Sequence, residues 1–279
     1  MNLLEIMKQD GNRLKEALGL DADEARIEVQ CLLQAVLNVS RAYLMTWPAR
    51  ELDADEFSCY AGLVERRLQG EPVAYLLGER EFFGHAFRVT PATLIPRPDT
   101  ELLVELILQY AEKQKSHRVL DMGTGSGVIA ISVALARPDL EVVALDASSA
   151  ALEVAIGNAK ALNASNLRFL RSDWFSSLEG ARFDLIASNP PYIEADDHHL
   201  QGLRFEPKSA LVSGRDGLDD IRHIVAGAGK HLNPGGWLML EHGCDQAASV
   251  RDLLRQSGFA EVSSARDLSG MERVSIGRA

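Results

Sequence analysis

Cysteine is scarce in this chain: Cys31, Cys59 and Cys244 are its only three. They are odd in number, widely spaced and lack metal-ligand spacing. That excludes a disulfide framework and reads as reduced thiols of a cytoplasmic protein. No apolar run approaches the roughly 18 residues of a membrane span. The opening stretch, Met1-Asn2-Leu3-Leu4-Glu5-Ile6-Met7-Lys8, is amphipathic and carries an acid, so it does not read as a signal peptide. Basic charge is also in short supply, with 29 Lys plus Arg against 40 Asp plus Glu and a net charge of −11. Residues 1–70 share the acidic bias. This argues against a direct grip on nucleic acid, which needs a basic footprint. A basic protein partner, such as one that itself binds RNA, is attracted instead. No internal repeat and no Ser-His-Asp ordering is present, so nothing implies covalent catalysis. Asp196-Asp197-His198-His199 has no matching ligands elsewhere and reads as a solvated loop; no metal is expected. His242, beside Cys244, reads as structural at the end of a core strand.

What the chain does have is apolar content, 46% of its residues, enough for real cores. Its length suits a catalytic domain with an accessory one. Residues 1–70 repeat apolar positions at helical spacing. Ala25, Val29, Leu32, Leu33, Val36 and Leu37 share one face, as do Phe57, Tyr60, Leu63, Val64 and Leu68. Asp53 with Glu56 has the form of a capping box. The segment is plain bundle scaffolding or a substrate reader. Residues 71–98 carry Gly78, Gly84 and β-type residues (Phe82, Phe83, Phe87, Val89), and predict a β-hairpin linker followed by the stiff Ile95-Pro96-Arg97-Pro98 near a ligand mouth. Residues 99–279 alternate strand and helix as an α/β doubly wound sheet does. They include a polar flap at 193–217, a turn at Asn233-Pro234-Gly235-Gly236 and a closing antiparallel strand pair around Gly270.

Within that last segment Arg118-Val119-Leu120-Asp121-Met122 reads as a strand, Gly123-Thr124-Gly125-Ser126-Gly127 as a turn, and 128–137 as a buried helix. Such a loop lets a ligand approach the backbone and offers N–H groups at the helix start. A second strand ends in Asp146, about 20 residues past the last glycine, where an acid takes a ribose hydroxyl pair. The loop lacks the extra residue of the dinucleotide fingerprint, and Asp121 beside it disfavours pyrophosphate and favours a cationic ligand. S-adenosyl-L-methionine, a sulfonium with an adenosine and no phosphate, fits better than NAD or ATP. A third strand leads into Ser172-Asp173-Trp174-Phe175, where Asp173 is placed to accept from an adenine amine. Trp174 packs either on that ring or in the core.

A fourth strand, Phe183-Asp184-Leu185-Ile186-Ala187-Ser188, runs into Asn189-Pro190-Pro191-Tyr192. Ligand chemistry in open α/β sheets gathers at the carboxyl ends of strands. Two prolines fix the backbone there. An Asn oxygen and the Pro190 carbonyl accept both hydrogens of an –NH2 group, and Tyr192 offers a flat face. The alternative is a proline-stiffened turn. The residues by themselves support a planar NH2 acceptor and no more.

The whole chain resembles the HemK/PrmC family, the protein-(glutamine N5) methyltransferases of peptide chain release factors. The resemblance runs through Glu71-Pro72-Val73-Ala74-Tyr75-Leu76-Leu77-Gly78, Glu81-Phe82-Phe83-Gly84, Leu94-Ile95-Pro96-Arg97-Pro98-Asp99-Thr100-Glu101 and the loop from Asp121 to Gly127. It continues through Ser172-Asp173-Trp174-Phe175, Asn189-Pro190-Pro191-Tyr192, Arg204-Phe205-Glu206-Pro207 and Leu240-Glu241-His242-Gly243. It implies a Rossmann-like methyltransferase domain using S-adenosyl-L-methionine, with S-adenosyl-L-homocysteine as product, preceded by a substrate-recognition domain at 1–70. The implied reaction methylates the glutamine of a Gly-Gly-Gln motif in class I release factors. Catalytic roles fall to Asn189, Pro190 and Tyr192, substrate binding to these and Pro191. Cofactor contacts fall to Gly123, Thr124, Gly125, Ser126, Gly127, Asp146, Asp173, Trp174 and Asn189. A monomer is expected. The competing readings are a ribosomal-protein glutamine methyltransferase, an adenine-N6 methyltransferase, which meets the same NH2 edge, and a cofactor-binding regulator without catalysis.

Overall fold

A computed structural model describes residues 1–114 and 118–279, with side chains at 112–114 outside the description. The chain forms two compact units, Met1–Glu79 and Arg80–Ala279.

The first unit is helical: α1 (Leu3–Leu18), α2 (Ala22–Leu37), α3 (Arg41–Thr46), α4 (Ala54–Leu68) and the short α5 (Val73–Leu77). Ala25, Val29, Leu32 and Leu33 of α2 and Tyr60 and Val64 of α4 are buried in one cluster with Leu3, Ile6 and Leu14 of α1. Their spacing gives each helix one apolar stripe, and burying those stripes together stabilises the bundle. Phe57 departs from the expected face and is 42% exposed. The helix starts are written locally. Asp53 accepts from the Glu56 amide at 2.8 Å while the Glu56 carboxylate accepts from the Asp53 amide at 3.0 Å. Asn2 and Glu5 repeat this reciprocal cap on α1.

The second unit opens on a hairpin, β1 (Glu79–Phe82) and β2 (His85–Arg88). Its two turn residues, Phe83 and Gly84, both have positive φ, as a type I′ turn requires. The expected linker at 71–98 is thus divided: α5 lies in the helical unit, while Phe82 and Phe87 are buried in the main core of the second. The side-chain amide of Asn158 accepts from the Arg88 N–H at 2.8 Å and donates to the Arg88 carbonyl at 3.0 Å.

The remaining elements are α6 (Glu101–Gln114), β3 (Arg118–Met122), α7 (Val128–Ala136), β4 (Glu141–Asp146), α8 (Ser149–Ala161), β5 (Leu167–Arg171) and β6 (Phe183–Ser188). After them come α9 (Asp219–His231), β7 (Leu232–Glu241), α10 (Ala247–Gln256), β8 (Ala260–Arg266) and β9 (Glu272–Arg278). Seven strands form one Rossmann-like sheet in the order β5-β4-β3-β6-β7-β9-β8. β3 pairs in parallel with β4 and β6, and β9 runs antiparallel to β7 and β8. The strand order reverses direction at β3, so the carboxyl ends of β3, β4 and β6 open a crevice. One buried cluster packs on each side of the sheet, with α7 buried along nearly its whole length in the first.

The expected turn at Asn233-Pro234-Gly235-Gly236 lies inside β7. Leu232 pairs with Phe183, and the ladder resumes only at Trp237 opposite Leu185. The extra residues bulge out there, with Gly235 at φ +79°, which is where a strand tolerates proline. Among the described residues, no helix is long and apolar enough to cross a membrane.

Candidate active site

A cavity of about 410 Å³ sits at the carboxyl ends of β3, β4 and β6. Its volume is that of a small-molecule site. The glycine loop, the ends of β4 and β5, the Asn189 turn, the segment around Pro96 and the 207–210 stretch of the expected flap line it.

The loop is held from below. Asp121, 1% exposed, accepts from the Thr124 hydroxyl at 2.6 Å and the Ala130 amide at 3.2 Å through one oxygen. Its other oxygen is buried without a hydrogen-bond partner among the described residues. Burial pushes the carboxyl up to about 7, against the opposing pull of those hydrogen bonds. Asp121 does not line the cavity. Its expected part in selecting a cation is therefore replaced by a visible one, shaping the loop from beneath.

The loop's amides are committed too. Gly123 and Thr124 both donate to the Leu145 carbonyl at 2.9 Å, Gly125 to Asp146 at 2.9 Å, and Gly127 to the Thr124 carbonyl at 2.8 Å. The expected array of free N–H groups is absent at these four positions. A phosphate would find few donors here, so the geometry favours a ligand without one by a different route from the Asp121 charge. Gly123 and Gly125 line the cavity, as do Thr124 and Ser126. Gly127 does not. It caps α7 at φ +88°, where a Cβ would meet Ile131 at 2.7 Å and Ala155 at 3.1 Å, so its smallness serves helix packing.

Asp146 closes β4 at the cavity wall. One oxygen accepts from Gly125 and the other from the Ser148 amide at 2.8 Å, which fixes the carboxylate while leaving lone pairs for a hydroxyl pair. Asp173 is exposed on the wall, and its carboxylate takes no hydrogen bond among the described residues. Trp174 lines the cavity too, its ring 3.8 Å from where a Gly123 side chain would begin. It holds φ +46°, an uncommon strain for a bulky residue. Its carbonyl accepts from the Ser172 hydroxyl at 2.7 Å and its indole N–H donates to Asp220 at 3.2 Å. Asp220, also on the wall, carried no local sequence signal.

Of the tetrapeptide, Asn189 and Pro191 line the cavity; Pro190 is buried and Tyr192 lies outside the lining. Asn189 donates through Nδ2 to the Thr100 hydroxyl at 3.1 Å, and its Oδ1 takes no hydrogen bond among the described residues. The Tyr192 ring packs on the second core cluster, and its carbonyl accepts from Gln246 at 3.0 Å. Burial, then the Glu241 carboxylate, pushes the Tyr192 phenol up. The backbone turn needs Gly217, since a Cβ there would lie 2.2 Å from the Tyr192 carbonyl oxygen.

The rim is latched. Glu206 of the expected flap is 6% exposed, accepts from the Ile95 amide at 2.9 Å and pairs with Arg97. Elsewhere, Asp197, His198 and His199 bring ligand atoms within 4.8 Å of one another, but both histidines are exposed and His199 Nδ1 is already on Asp197. His242 is fully buried between the Gly243 carbonyl and the Ser275 hydroxyl, and burial lowers its pKa, so it is a neutral structural residue.

Comparison with known proteins adds the lineage. Residues 98–205 match the methyltransferase small domain and residues 6–78 the PrmC N-terminal domain. The release factor glutamine methyltransferase of Bordetella pertussis is 51% identical over 267 residues, covering 95% of this chain and 98% of the relative. That of Burkholderia pseudomallei is 50% identical and covers 100% of this chain and 99% of the relative. Among solved structures, the 16S rRNA N2 G1207 methyltransferase of T. thermophilus, in complex with AdoMet and guanosine, has the same fold. It aligns with a TM-score of 0.54 and 22% identity, covering 72% of this chain and 49% of that one. With relatives this similar along its whole length, the chain belongs to the release factor glutamine methyltransferase family.

Proposed function

We propose that this methyltransferase transfers a methyl group from S-adenosyl-L-methionine to the side-chain nitrogen of the glutamine in the Gly-Gly-Gln motif of class I peptide chain release factors. The observation that carries the reading is Asn189. It follows β6 at the cavity wall, with Nδ2 fixed on Thr100 and Oδ1 unclaimed among the described residues, as an acceptor for an amide N–H should be. The adjacent loop supports the cofactor. Its committed amides leave little for a phosphate, Asp146 is braced to accept two hydroxyls, and Trp174 and Asp173 border the place of a purine.

The bound cofactor supplies an electrophilic methyl on a sulfonium: the glutamine nitrogen forms the new N–C bond as the S–C bond breaks, releasing S-adenosyl-L-homocysteine and, afterwards, a proton. A glutamine nitrogen is a poor nucleophile because its lone pair is delocalised into the carbonyl. Asn189 Oδ1 and the Pro190 carbonyl accept its two N–H groups, aim the lone pair along the line of transfer and favour the positive charge that develops on nitrogen. Tyr192, half-buried against the second core cluster, holds the turn through its carbonyl and offers its flat face to the substrate amide. The helical unit reads the protein substrate, and the acidic chain attracts the basic surface of an RNA-binding partner.

The test incubates the protein with S-adenosyl-L-methionine and an unmodified class I release factor and maps the methyl group by peptide mass spectrometry. One methyl on the Gly-Gly-Gln glutamine is expected. Transfer to a ribosomal protein or to adenine instead would replace this reading.

A further inference from the structure

We propose that Asp220 is a positioning residue for the cofactor, holding the Trp174 ring in the seating that borders the purine; the proposal rests on the reading of the cavity given above. The torsion about a tryptophan Cβ–Cγ bond is broad and roughly two-fold, so the ring can occupy nearly the same plane in two ways. Exchanging them moves the six-membered ring to the other side and turns the N–H the opposite way. The N–H is the ring's one hydrogen-bonding group and can only donate. Whatever accepts from it therefore selects the seating.

Trp174 Nε1 donates to Asp220 Oδ1 at 3.2 Å. That seating puts Cη2 and Cζ3, the outer atoms of the six-membered ring, 3.8 Å from where a Gly123 Cβ would stand. The ring thereby walls the cavity beside the glycine loop, and Asp220 walls it too. Both ends of the contact are braced by other groups. The Trp174 backbone, at φ +46°, is held by the Ser172 hydroxyl on its carbonyl at 2.7 Å, and Ser172 Oγ accepts in turn from the Ser177 amide at 3.0 Å. Asp220 stands in the first turn of α9, its own amide donating to the Ser213 hydroxyl at 2.8 Å. Ser213 is buried, and its amide is fixed on the Ile193 carbonyl at 2.9 Å. An uncommon backbone conformation at a bulky residue persists only where its surroundings over-determine it, and such residues cluster at ligand sites. The backbone of Trp174 is thus settled locally, while the turn of its half-buried ring is settled by Asp220. Without that acceptor the N–H loses its partner and the preference for the seating beside the loop falls.

The experiment compares the wild-type chain with Asp220→Asn and Asp220→Leu. It measures S-adenosyl-L-methionine affinity by calorimetric titration and, without cofactor, solvent exchange of the Trp174 indole N–H by NMR, the resonance being identified by its loss in Trp174→Phe. Both Asp220 variants remove a negative charge from the start of α9. Only Asn keeps an acceptor oxygen, so the difference between the two is the hydrogen bond. Asp220→Leu is expected to weaken the cofactor about tenfold and Asp220→Asn less than about threefold. Indole exchange should quicken about tenfold in Leu and less than about threefold in Asn. Because it is read without cofactor, the exchange reports the ring and not a contact between Asp220 and the ligand. Unchanged affinity or unchanged exchange in Asp220→Leu overturns the proposal, as does an equal loss of affinity in Asn and Leu. Should Asp220→Leu not fold, a wild-type Trp174 N–H that exchanges as fast as that of Trp47, which is 59% exposed, overturns it equally. The two levels separate cleanly: a wild-type chain that takes up no S-adenosyl-L-methionine fails the reading of the cavity and the proposal with it, whereas wild-type binding with an indifferent Asp220→Leu fails the positioning role alone.

Discussion

The two units differ in which polar groups they bury and where. In the helical unit the core is almost entirely apolar, with Asp10 and Gln30 its buried polar exceptions; Asp10 is satisfied by Tyr60 at 2.9 Å and Arg13 at 2.8 Å. In the α/β unit, buried polar side chains gather near the carboxyl ends of the strands: Thr100, Asp121, Thr124, Ser126, Ser188, Glu241. Two of them are carboxyls pushed up to about 7 by burial, each with one oxygen left unpaired. A scaffold avoids such groups because they destabilise it. Their concentration beside one cavity marks where the fold accepts destabilisation for chemistry. Buried atoms unpaired among the described residues occur in both units, Gln30 Oε1 and Arg50 Nη1 in the first, but the two carboxyls among them, Asp121 and Glu241, lie in the second.

That contrast breaks most visibly at Asn189. Asn189→Ala removes the acceptor and should lower transfer by a factor on the order of a thousand, as losing a preorganised transition-state partner does. Cofactor affinity by titration should hold within about threefold, because the side chain acts mainly on the substrate. Parallel loss of both would merge the two roles. The second break is thermodynamic. Asp121 ionises at 3.8 when unfolded and at about 7 when folded. Between those values the folded chain holds a proton that the unfolded chain has released, so stability is full below pH 4 and falls as pH rises toward 7. Asp121→Asn cannot ionise, and the loss of stability from pH 5 to pH 8 in denaturant titrations should shrink by on the order of 3 kcal/mol. Identical pH slopes in the two proteins would contradict the buried, neutral state of Asp121.

Much of the fold is legible because it is local. Helical period 3.6 marked α2 and α4, the Asp53-x-x-Glu56 pattern marked a start, and strand, glycine turn and helix marked β3 and α7. The bulge in β7 was not, because Asn233 to Gly236 are ordinary turn residues until the ladder on both sides is known. At the site, sequence supplies candidates but not depth. Nothing in the glycine pattern says that Gly127 faces α8 while Gly125 faces the cavity. The partners that orient the site come from far along the chain, Thr100 being 89 residues from Asn189 and Asp220 46 from Trp174. Contacts of that separation leave no trace in local patterning.

Asp146 gives the comparison a finer edge, since it and Asp121 flank one loop. Asp121 is buried and serves the loop; Asp146 is partly exposed, with each oxygen on a backbone amide and room for more. Asp146→Ala should weaken the cofactor about thirtyfold, the worth of charge-assisted bonds on the order of 2 kcal/mol. Calorimetric titration checks it, and unchanged affinity would remove Asp146 from the ribose.

The smallest effect probes the other unit. Asp53 accepts from the Glu56 amide and Glu56 returns the bond to the Asp53 amide, satisfying two groups that α4 otherwise leaves unpaired. Asp53→Ala removes one arm and should lower stability by about 1 kcal/mol, the usual worth of such a cap. It also removes a negative charge from the helix N-terminus, which acts in the same direction. Because Asp53 lies in the first unit and the cavity residues all lie in the second, cofactor affinity should not change. Denaturant unfolding and titration of the same sample separate the two quantities. A loss of cofactor affinity at Asp53 would mean that the two units share their stability, and the division between scaffold and site would have to be drawn elsewhere.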